Sequence, residues 1–479
     1  MKRIKTSKIE YAVIAILVSI ITAQCIAIGK SKMFVREPQT PLESSLSYVP
    51  PPPPKYPLEA VKEISLLKNT FTPKVVKVGE DIYQAQGFAL ANVQMVVTDE
   101  GVVIIDTTES VESAKEVLSR FRKITDKPIR YIIYTHSHLD HIQGAAVFFE
   151  EGTQVIAAKA ALDYINMKYG WLGEYENHSR RNQAGLAAPD FAVELPLKSP
   201  LRGLGSLTDI IWPMITFEDE YSFELGGKKF ELYHTQGETP DHLMVWLPQQ
   251  KALFCGDLYY ASFPNLSSPM MESRPVREWY ESLDRMIAMK PQYLLPGHTG
   301  ALVGTETISQ TLSNYSKAIR YVYEATVKGI NDGKTVNEIV QTVKLPDELT
   351  NLPYLREYYG RVDWSIRGIY RGLTGWYDGH GTGLIPLPPH IKAREIVNLS
   401  GGADKILTRA IELQKAGEHQ LVCELCDIVI SANPNDKLAH LIKAYSLDYL
   451  GIANFNLNTF GFYRSAASLE RQSAGVKPK

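Results

Sequence analysis

The stretch Thr135-His136-Ser137-His138-Leu139-Asp140-His141 places three histidines and an aspartate within seven residues, directly after the apolar run Tyr131–Tyr134. If that run is a buried strand, the side chains of His136 and His138 point the same way, because side chains alternate along a strand. Asp140 and His141 then begin the turn into the next helix. Neutral imidazoles and carboxylates are typical ligands of zinc or a similar divalent metal, and four ligands so close together favour two adjacent ions.

One strand–helix–strand plan occurs twice. The first copy runs from Gly101–Asp106 through a predicted helix at Val111–Phe121 to the histidine stretch. The second runs from Ala252–Asp257 through a predicted helix at Val276–Met289 to Gln292–His298. A helical crossover makes the two strands of each copy parallel. Because α/β sheets bind ligands at the carboxyl ends of their strands, we expect one site shared by the two copies.

Spacing alone leaves two questions open. Asp106 either orients a ligand histidine or caps the helix that follows it. Between the two copies, the turn after Phe230–Tyr233 can present His234, Glu238 or His242 to the same edge, and the spacing does not choose among them.

The amino-terminal region predicts export. A basic start at Met1–Lys8 precedes the uncharged, mostly apolar tract Tyr11–Gly29, so residues 1–29 are predicted to be a signal peptide or an N-terminal membrane anchor. We expect the protein to be periplasmic, or anchored in the inner membrane and facing outward. Residues 30–70 contain the run Pro50–Pro54 and predict a proline-rich linker or arm.

Composition narrows the class of partner and the number of domains. The 51 basic and 53 acidic residues give a net charge of −2, and no basic block indicates nucleic acid, so we expect a small-molecule substrate. About 450 residues follow the apolar tract, which favours two domains, a catalytic one at 71–306 and a helical one at 307–479. Cys423 and Cys426 share one helical face and are predicted to pack in a core.

Several motifs resemble the alkyl sulfatase branch of the metallo-β-lactamase superfamily. They are Thr135–His141, Gly237–Pro240, Gly256–Asp257, Pro264–Leu266, Pro296–His298, Trp364–Arg367 and Gly375–Gly379. The resemblance implies an α/β fold, an αββα metallo-β-lactamase sandwich followed by an all-α dimerisation domain, and hence a homodimer. Alkyl sulfatases usually continue into a sterol-carrier-like domain, which we expect to be absent here.

The resemblance also implies a ligand set for two zinc ions, or for other divalent metals. His136, His138 and Glu238 would bind one ion, Asp140, His141 and His298 the other, and Asp257 would bridge them. Two such ions lower the pKa of a bound water towards ~7, which makes it a nucleophile at neutral pH. Asp140 would also hold this nucleophile.

Substrate contacts are implied at two further positions. Asn265 matches the sulfate-contacting asparagine of the family, whereas the family arginine five residues later is Met270 here. Arg274 aligns with a neighbouring arginine and is the candidate replacement. The sequence therefore predicts an exported, binuclear sulfuric ester hydrolase. The alternatives are a hydrolase of a lactone, thioester or phosphodiester, a non-catalytic metal-binding scaffold, and a di-iron redox centre, whose branch has Glu at the position of His138.

Overall fold

The computed structural model describes residues 46–52, 54, 55, 57, 62, 63, 70–187, 210–454 and 456–477. The predicted signal or anchor segment at 1–29 lies outside these residues, as does much of the predicted linker. Among the helices of the described ranges, none combines the length and the apolar composition that crossing a bilayer requires.

Two β-sheets form the core of the amino-terminal half. The first sheet has its strands in chain order, antiparallel from β1 to β4 and parallel from β4 to β7. Its strands are β1 Lys74–Gly79, β2 Ile82–Gln86, β3 Val93–Val97, β4 Val102–Ile105, β5 Ile129–Ile133, β6 Gln154–Ala158 and β7 Ile215–Phe217.

The second sheet has the order β13-β12-β11-β10-β9-β8, and only the β11–β12 pair within it is parallel. Its strands are β8 Glu220–Leu225, β9 Lys228–His234, β10 Leu243–Leu247, β11 Ala252–Gly256, β12 Tyr293–Pro296 and β13 Leu302–Val303. The two predicted parallel pairs, β4 with β5 and β11 with β12, are therefore confirmed.

The sheets pack face to face, and helices cover their outer faces. Alternation along β4 places Val103 and Ile105 against the second sheet, whereas Val102 and Ile104 face the helices. Both faces of β4 are thus buried, which explains its unbroken apolar sequence. The helices of this half are α1 Val111–Phe121, α2 Leu139–Ile142, α3 Ala145–Phe148, α4 Ala160–Asn166, α5 Gly173–Gln183 and α6 Val276–Ala288. This arrangement is the predicted αββα sandwich.

The remainder of the chain is helical. Helix α7 begins this region and packs with α6 through Ile308, Leu312, Trp279 and Leu283, so it covers the second sheet. The helices are α7 Thr305–Asn331, α8 Val336–Thr342, α9 Asp347–Thr350, α10 Val362–Thr374, α11 Pro389–Leu399, α12 Ala403–Lys415, α13 His419–Ala432, α14 Lys437–Ala453 and α15 Leu457–Ser473. Cys423 and Cys426 are buried in α13, as predicted.

The last helix returns to the catalytic half. At Gly461, α15 lies so close to the end of α5 that an added Cβ would come within 1.7 Å of the Gln183 carbonyl oxygen. Only glycine permits this contact. In addition, the Gln183 side-chain amide donates to the Asn458 Oδ1 atom at 2.7 Å. The start of α15 is therefore fixed beside α5.

Candidate metal centre

The histidine stretch lies on a loop rather than on a strand. Strand β5 ends at Ile133, two residues before the stretch begins, and α2 starts at Leu139. His136 and His138 nevertheless face the same way, because the His136 Nε2 atom lies 2.9 Å from the His138 Nδ1 atom. Asp140 and His141 lie within α2, where they begin the predicted helix. The loop thus brings four candidate ligands to the end of β5.

Side chains from the two halves of the sandwich meet at this point. Asp257 follows β11, and its carboxylate forms one candidate metal-binding group with His136 and His138. His298 follows β12 and forms a second group with Asp140 and His141. Within each group the ligand atoms lie within 4.8 Å of one another. The Asp257 carboxylate also approaches the second group, with its Oδ2 atom 3.1 Å from the His298 Nε2 atom.

Asp106 orients the neighbouring loop and a histidine. Its fully buried carboxylate accepts hydrogen bonds from the Thr135 backbone N–H at 2.9 Å and from the Thr135 hydroxyl at 2.9 Å. Its Oδ2 atom also lies 2.8 Å from the His141 Nδ1 atom. Helix α1 is capped by Ser110 instead, so the capping interpretation of Asp106 is wrong. This contact leaves the His141 Nε2 atom to bind a metal.

Hydrogen bonds set the tautomers of two further histidines. The Thr135 hydroxyl donates to Asp106, so its oxygen can accept from the His136 Nδ1–H at 3.0 Å. The His298 Nδ1–H donates to the Leu90 carbonyl oxygen at 2.8 Å. In both rings the Nε2 atom therefore faces the candidate metal groups. The hydrogen bond at Nδ1 therefore orients each ring for metal binding through Nε2.

Of the three residues that spacing left open, Glu238 lies beside His138 and lines the cavity, although it belongs to neither candidate metal-binding group. Its Oε1 atom lies 3.9 Å from the His138 Nδ1 atom and 2.8 Å from the Arg274 guanidinium. The His234 ring instead lies 2.9 Å from the Pro240 carbonyl oxygen. The His242 Nε2 atom accepts a hydrogen bond from the Asp257 backbone N–H at 3.0 Å, and its ring stacks on His136. His242 therefore supports two candidate ligands without facing the cavity.

The donor set fits divalent metal ions. The His136 Nε2 and His138 Nδ1 atoms lie 2.9 Å apart, close enough for both to contact one ion. Three further buried atoms have no hydrogen-bond partner among the described residues, namely His141 Nε2, Glu238 Oε2 and Asp257 Oδ1. Buried polar atoms are normally paired. Cations bound between these nitrogen and oxygen atoms would satisfy them.

The charges around the centre shift several pKa values. Burial, followed by the nearby His141, lowers the pKa of His136 well below its ordinary value. Burial opposes protonation of His298 as well, but Asp257 and Asp140 raise its pKa to about 9. His298 and His141 in turn hold the pKa of Asp257 well below its ordinary value, although burial alone would raise it. The nearby carboxylates thus favour positive charge at His298, whereas burial and a neighbouring histidine disfavour it at His136.

Gly297 allows the Asp257 carboxylate and the His141 imidazole to pack against its backbone. A Cβ atom at this position would lie 2.4 Å from the Asp257 Oδ1 atom and 2.7 Å from the His141 Cε1 atom. Such contacts are far shorter than van der Waals distances. A glycine before His298 is therefore required by the packing of both candidate metal groups.

The predicted substrate residues occupy different environments. Arg274 lines the cavity beside the centre, and its Nη1 atom donates to the Asn265 carbonyl oxygen at 2.5 Å. Asn265 is fully buried, its Oδ1 atom accepts from the Ser268 hydroxyl, and the structure does not bring its side chain to the cavity. Met270 has a φ of 61°, and Met271 rather than Met270 lines the cavity.

One buried acid near the centre was missed by sequence reasoning. Glu109 is fully buried, and both of its carboxylate oxygens accept from the Leu90 backbone N–H, at 3.2 and 3.1 Å. Leu90 is also the residue whose carbonyl oxygen accepts from His298. Burial and then the charge of Asp140 raise the pKa of Glu109 to about 7. In the sequence, the only indication that Glu109 lies near the centre was its position three residues after Asp106.

Comparisons with known proteins agree with this fold. A family model described as the metallo-beta-lactamase superfamily matches residues 87–298, and one described as alkyl sulfatase dimerisation matches residues 335–473. A linear primary-alkylsulfatase of a Pseudomonas species is 35% identical over 398 residues, which cover 80% of this chain and 74% of the relative. An alkyl/aryl-sulfatase of Saccharomyces cerevisiae is 26% identical over 78% of this chain and 60% of the relative.

The fold itself has solved counterparts. The stereoselective inverting sec-alkylsulfatase Pisa1 from Pseudomonas sp. superposes with a TM-score of 0.79 at 24% identity, over 86% of this chain and 68% of that protein. The chain also matches an (R)-specific secondary-alkylsulfatase of a Pseudomonas species, and it spans 61% of that relative's length. The chain belongs to the alkyl sulfatase family, a group of sulfate ester hydrolases within the metallo-β-lactamase superfamily.

Proposed function

We propose that this protein hydrolyses alkyl sulfate esters with the help of two divalent metal ions, zinc being the first choice. The observation that carries the proposal is the pair of adjacent ligand groups that open on one cavity. Asp140, His138, Asp257 and His298 all line this cavity. A substrate in the cavity therefore lies beside both groups.

The cavity is lined by both charged and apolar side chains, which suits an ester with a charged head and a hydrocarbon tail. Its volume is about 240 Å³. The apolar lining comes from both halves of the described chain, and it includes Phe71, Leu90, Leu139, Tyr169, Met271, Leu457 and Phe460. The last two belong to α15, so the helical region contributes to substrate binding in this proposal.

Charge explains why metals are needed to attract an anionic ester. The cavity is lined by three cationic side chains, Lys168, Arg180 and Arg274. Five carboxylates also line it, those of Asp140, Glu176, Glu238, Asp257 and Glu272. The formal charge of these side chains is −2, which repels an anion, whereas two divalent ions would change it to +2. Metal loading thus turns the cavity into an anion-binding site.

The chain's own residues position the reaction. When bound, the metals would supply Lewis acidity and activate a water molecule. Asp140 is partly exposed and lines the cavity, so its carboxylate could accept a proton from a water molecule there. Arg274, held by Glu238 and by the Asn265 carbonyl, directs a fixed guanidinium at the cavity. Water and the alkyl sulfate would give the alcohol and hydrogensulfate.

The assay compares four substrate classes with zinc-loaded protein: an alkyl sulfate, an aryl sulfate, a lactone and a phosphodiester. We expect sulfate release that disappears in the His136→Ala/His138→Ala variant and two zinc ions per wild-type chain by elemental analysis. His380→Ala/His390→Ala, which changes two exposed histidines, is the matched control and should remain active. Turnover of only the lactone or the phosphodiester would refute the sulfatase proposal and favour the other ester class.

We also infer that the protein is a homodimer. The segment at residues 375–387 follows α10 and exposes large apolar side chains, among them Trp376 at 71% and Ile385 at 91% of their surface. This segment lies within the residues matched by the alkyl sulfatase dimerisation family. Light scattering should show a dimer for the wild type and a monomer for Ile385→Glu. The control Val303→Glu changes an exposed apolar residue on β13 and should remain dimeric.

Export is part of the same proposal and rests on the apolar tract Tyr11–Gly29 alone. Fractionation of cells that express the full chain should place it in the periplasm, or in the inner membrane with residues after 30 outside. Recovery in the cytoplasm would contradict export and leave the catalytic proposal unchanged.

A further inference from the structure

A π-helical turn beside the centre carries a buried lysine. This turn, Met167–Trp171, joins α4 to α5. π-helical turns are rare and are frequently found at functional sites. Lys168 lines the cavity with a side chain that is 3% exposed, and its Nζ atom lies 2.7 Å from the Glu272 Oε1 atom. An ammonium group is therefore held at the wall of the cavity.

The π-helical turn is tied directly to the histidine loop. The hydroxyl of Tyr169, the residue after Lys168, donates to the Ser137 carbonyl oxygen at 2.9 Å, and this contact is buried. Ser137 lies between His136 and His138. Lys168 is therefore held at a fixed place relative to the predicted metal ligands. A residue that binds the charged part of a substrate needs such a fixed place.

The partner of Lys168 is replaceable, in contrast to the partner of Arg274. Arg274 is paired with Glu238, which is itself a predicted metal ligand. Glu272 belongs to neither metal group, and 43% of its side chain is exposed. It lies in a loop, outside any helix or strand. An exposed carboxylate gains little from an ion pair. Removing a lysine from water is costly, however, unless the ammonium is well satisfied.

An ammonium has three N–H donors, and Glu272 contacts it with one oxygen among the described residues. A sulfate group carries several acceptor oxygens and a negative charge, so it can satisfy Lys168 better than Glu272 does.

We propose that Lys168 binds the anionic head group of the ester and that Glu272 occupies the ammonium until the substrate displaces it. This inference rests on the proposed function, because it assigns a head-group contact for that substrate. It also explains how the cavity can bind an anion although Met270 supplies no charge.

Binding of a non-hydrolysable anion tests the proposal independently of turnover. Calorimetry with zinc-loaded protein would compare 1-octanesulfonate with 1-octanol, which has the same tail but no charge. Lys168→Met should weaken sulfonate binding roughly 10- to 100-fold, the effect of losing a charge-assisted hydrogen bond, and leave octanol binding unchanged. Lys168→Arg should keep most of the affinity. Lys159→Met, which removes an exposed lysine paired with Glu218, is the matched control.

Glu272→Gln tests the same idea without altering a buried residue. It should tighten sulfonate binding, because the neutral amide competes less well for the ammonium. Sulfonate binding that is the same in Lys168→Met, Lys159→Met and the wild type would overturn the proposal, as would weaker binding in Glu272→Gln.

The outcome also separates this inference from the proposed function. If the wild type releases no sulfate from any ester but binds octanesulfonate through Lys168, the function is refuted and the anion site stands. If the wild type releases sulfate and Lys168→Met keeps the same KM, the function stands and the role of Lys168 is refuted.

Discussion

Replacing Asp106 with asparagine tests how the centre is oriented. The Asp106 carboxylate accepts from the Thr135 N–H and hydroxyl and contacts the His141 Nδ1 atom at 2.8 Å. Asparagine has one acceptor oxygen. If that oxygen keeps the hydrogen bond from the Thr135 backbone N–H, the asparagine NH₂ faces the Thr135 hydroxyl and the His141 Nδ1 atom. Two interactions are then lost. At net values near 1–1.5 kcal/mol each, the free energy of unfolding falls by about 2–3 kcal/mol.

The same change reverses the preferred tautomer of His141. An NH₂ group next to Nδ1 favours a proton on Nε2, the atom that would bind metal, so zinc affinity should fall roughly 10- to 100-fold. Urea unfolding measures the first effect, and competition with a chelating dye measures the second. Asp99→Asn, at an exposed position after β3, is the matched control. A folded Asp106→Asn protein that binds zinc as tightly as the wild type would refute this account of Asp106.

Three further predictions concern the centre and the helical region. Gly297→Ala should weaken zinc binding, because its Cβ would press on Asp257 and His141; unchanged affinity would show that the loop can move aside. Treatment with EDTA should lower the Tm and abolish octanesulfonate binding, and zinc should restore both; a Tm that EDTA leaves unchanged would contradict a metal that satisfies buried ligands. The hydrogen bond that the His440 Nδ1–H donates to the Glu470 carboxylate raises the pKa of His440 above its ordinary 6.5, so this pair stabilises the protein below that pH and the effect is lost as the pH rises through the higher folded pKa. His440→Gln should therefore lower the Tm at about pH 5.5 and have much less effect at about pH 9; an equal effect at both values would contradict this.

Periodicity and spacing predicted the two parallel strand pairs, whereas the αββα sandwich was implied by the family resemblance. The unbroken apolar run of β4 and the helix at Val111–Phe121 require a parallel crossover, which the structure contains. The histidine loop was recognised because ligands close in sequence remain close in space. The position of β5 was less accurate, because the apolar Tyr134 continues the pattern after the strand has ended.

Contacts between distant segments could not be read from the sequence. Lys168 is a single lysine in a helical stretch, and only the fold places it opposite Glu272. Glu109 reaches the centre through the backbone of Leu90, which has no side-chain signature. The choice among His234, Glu238 and His242 depends on how one turn is folded, and spacing carries no information on that. Asn265 shows the converse error. The family motif implied a substrate contact there, but the Asn265 side chain does not line the cavity.

The approach of α15 to α5 bears on how this protein can be re-engineered. Leu457 and Phe460 form part of the cavity wall, yet they lie more than 150 residues after His298 and within the dimerisation match at 335–473. Exchanging that carboxy-terminal block between two relatives would therefore graft a new tail-binding surface onto an unaltered metal centre. Chimeras of this kind should inherit their chain-length preference from the donor of the helices and their catalytic chemistry from the donor of the sandwich.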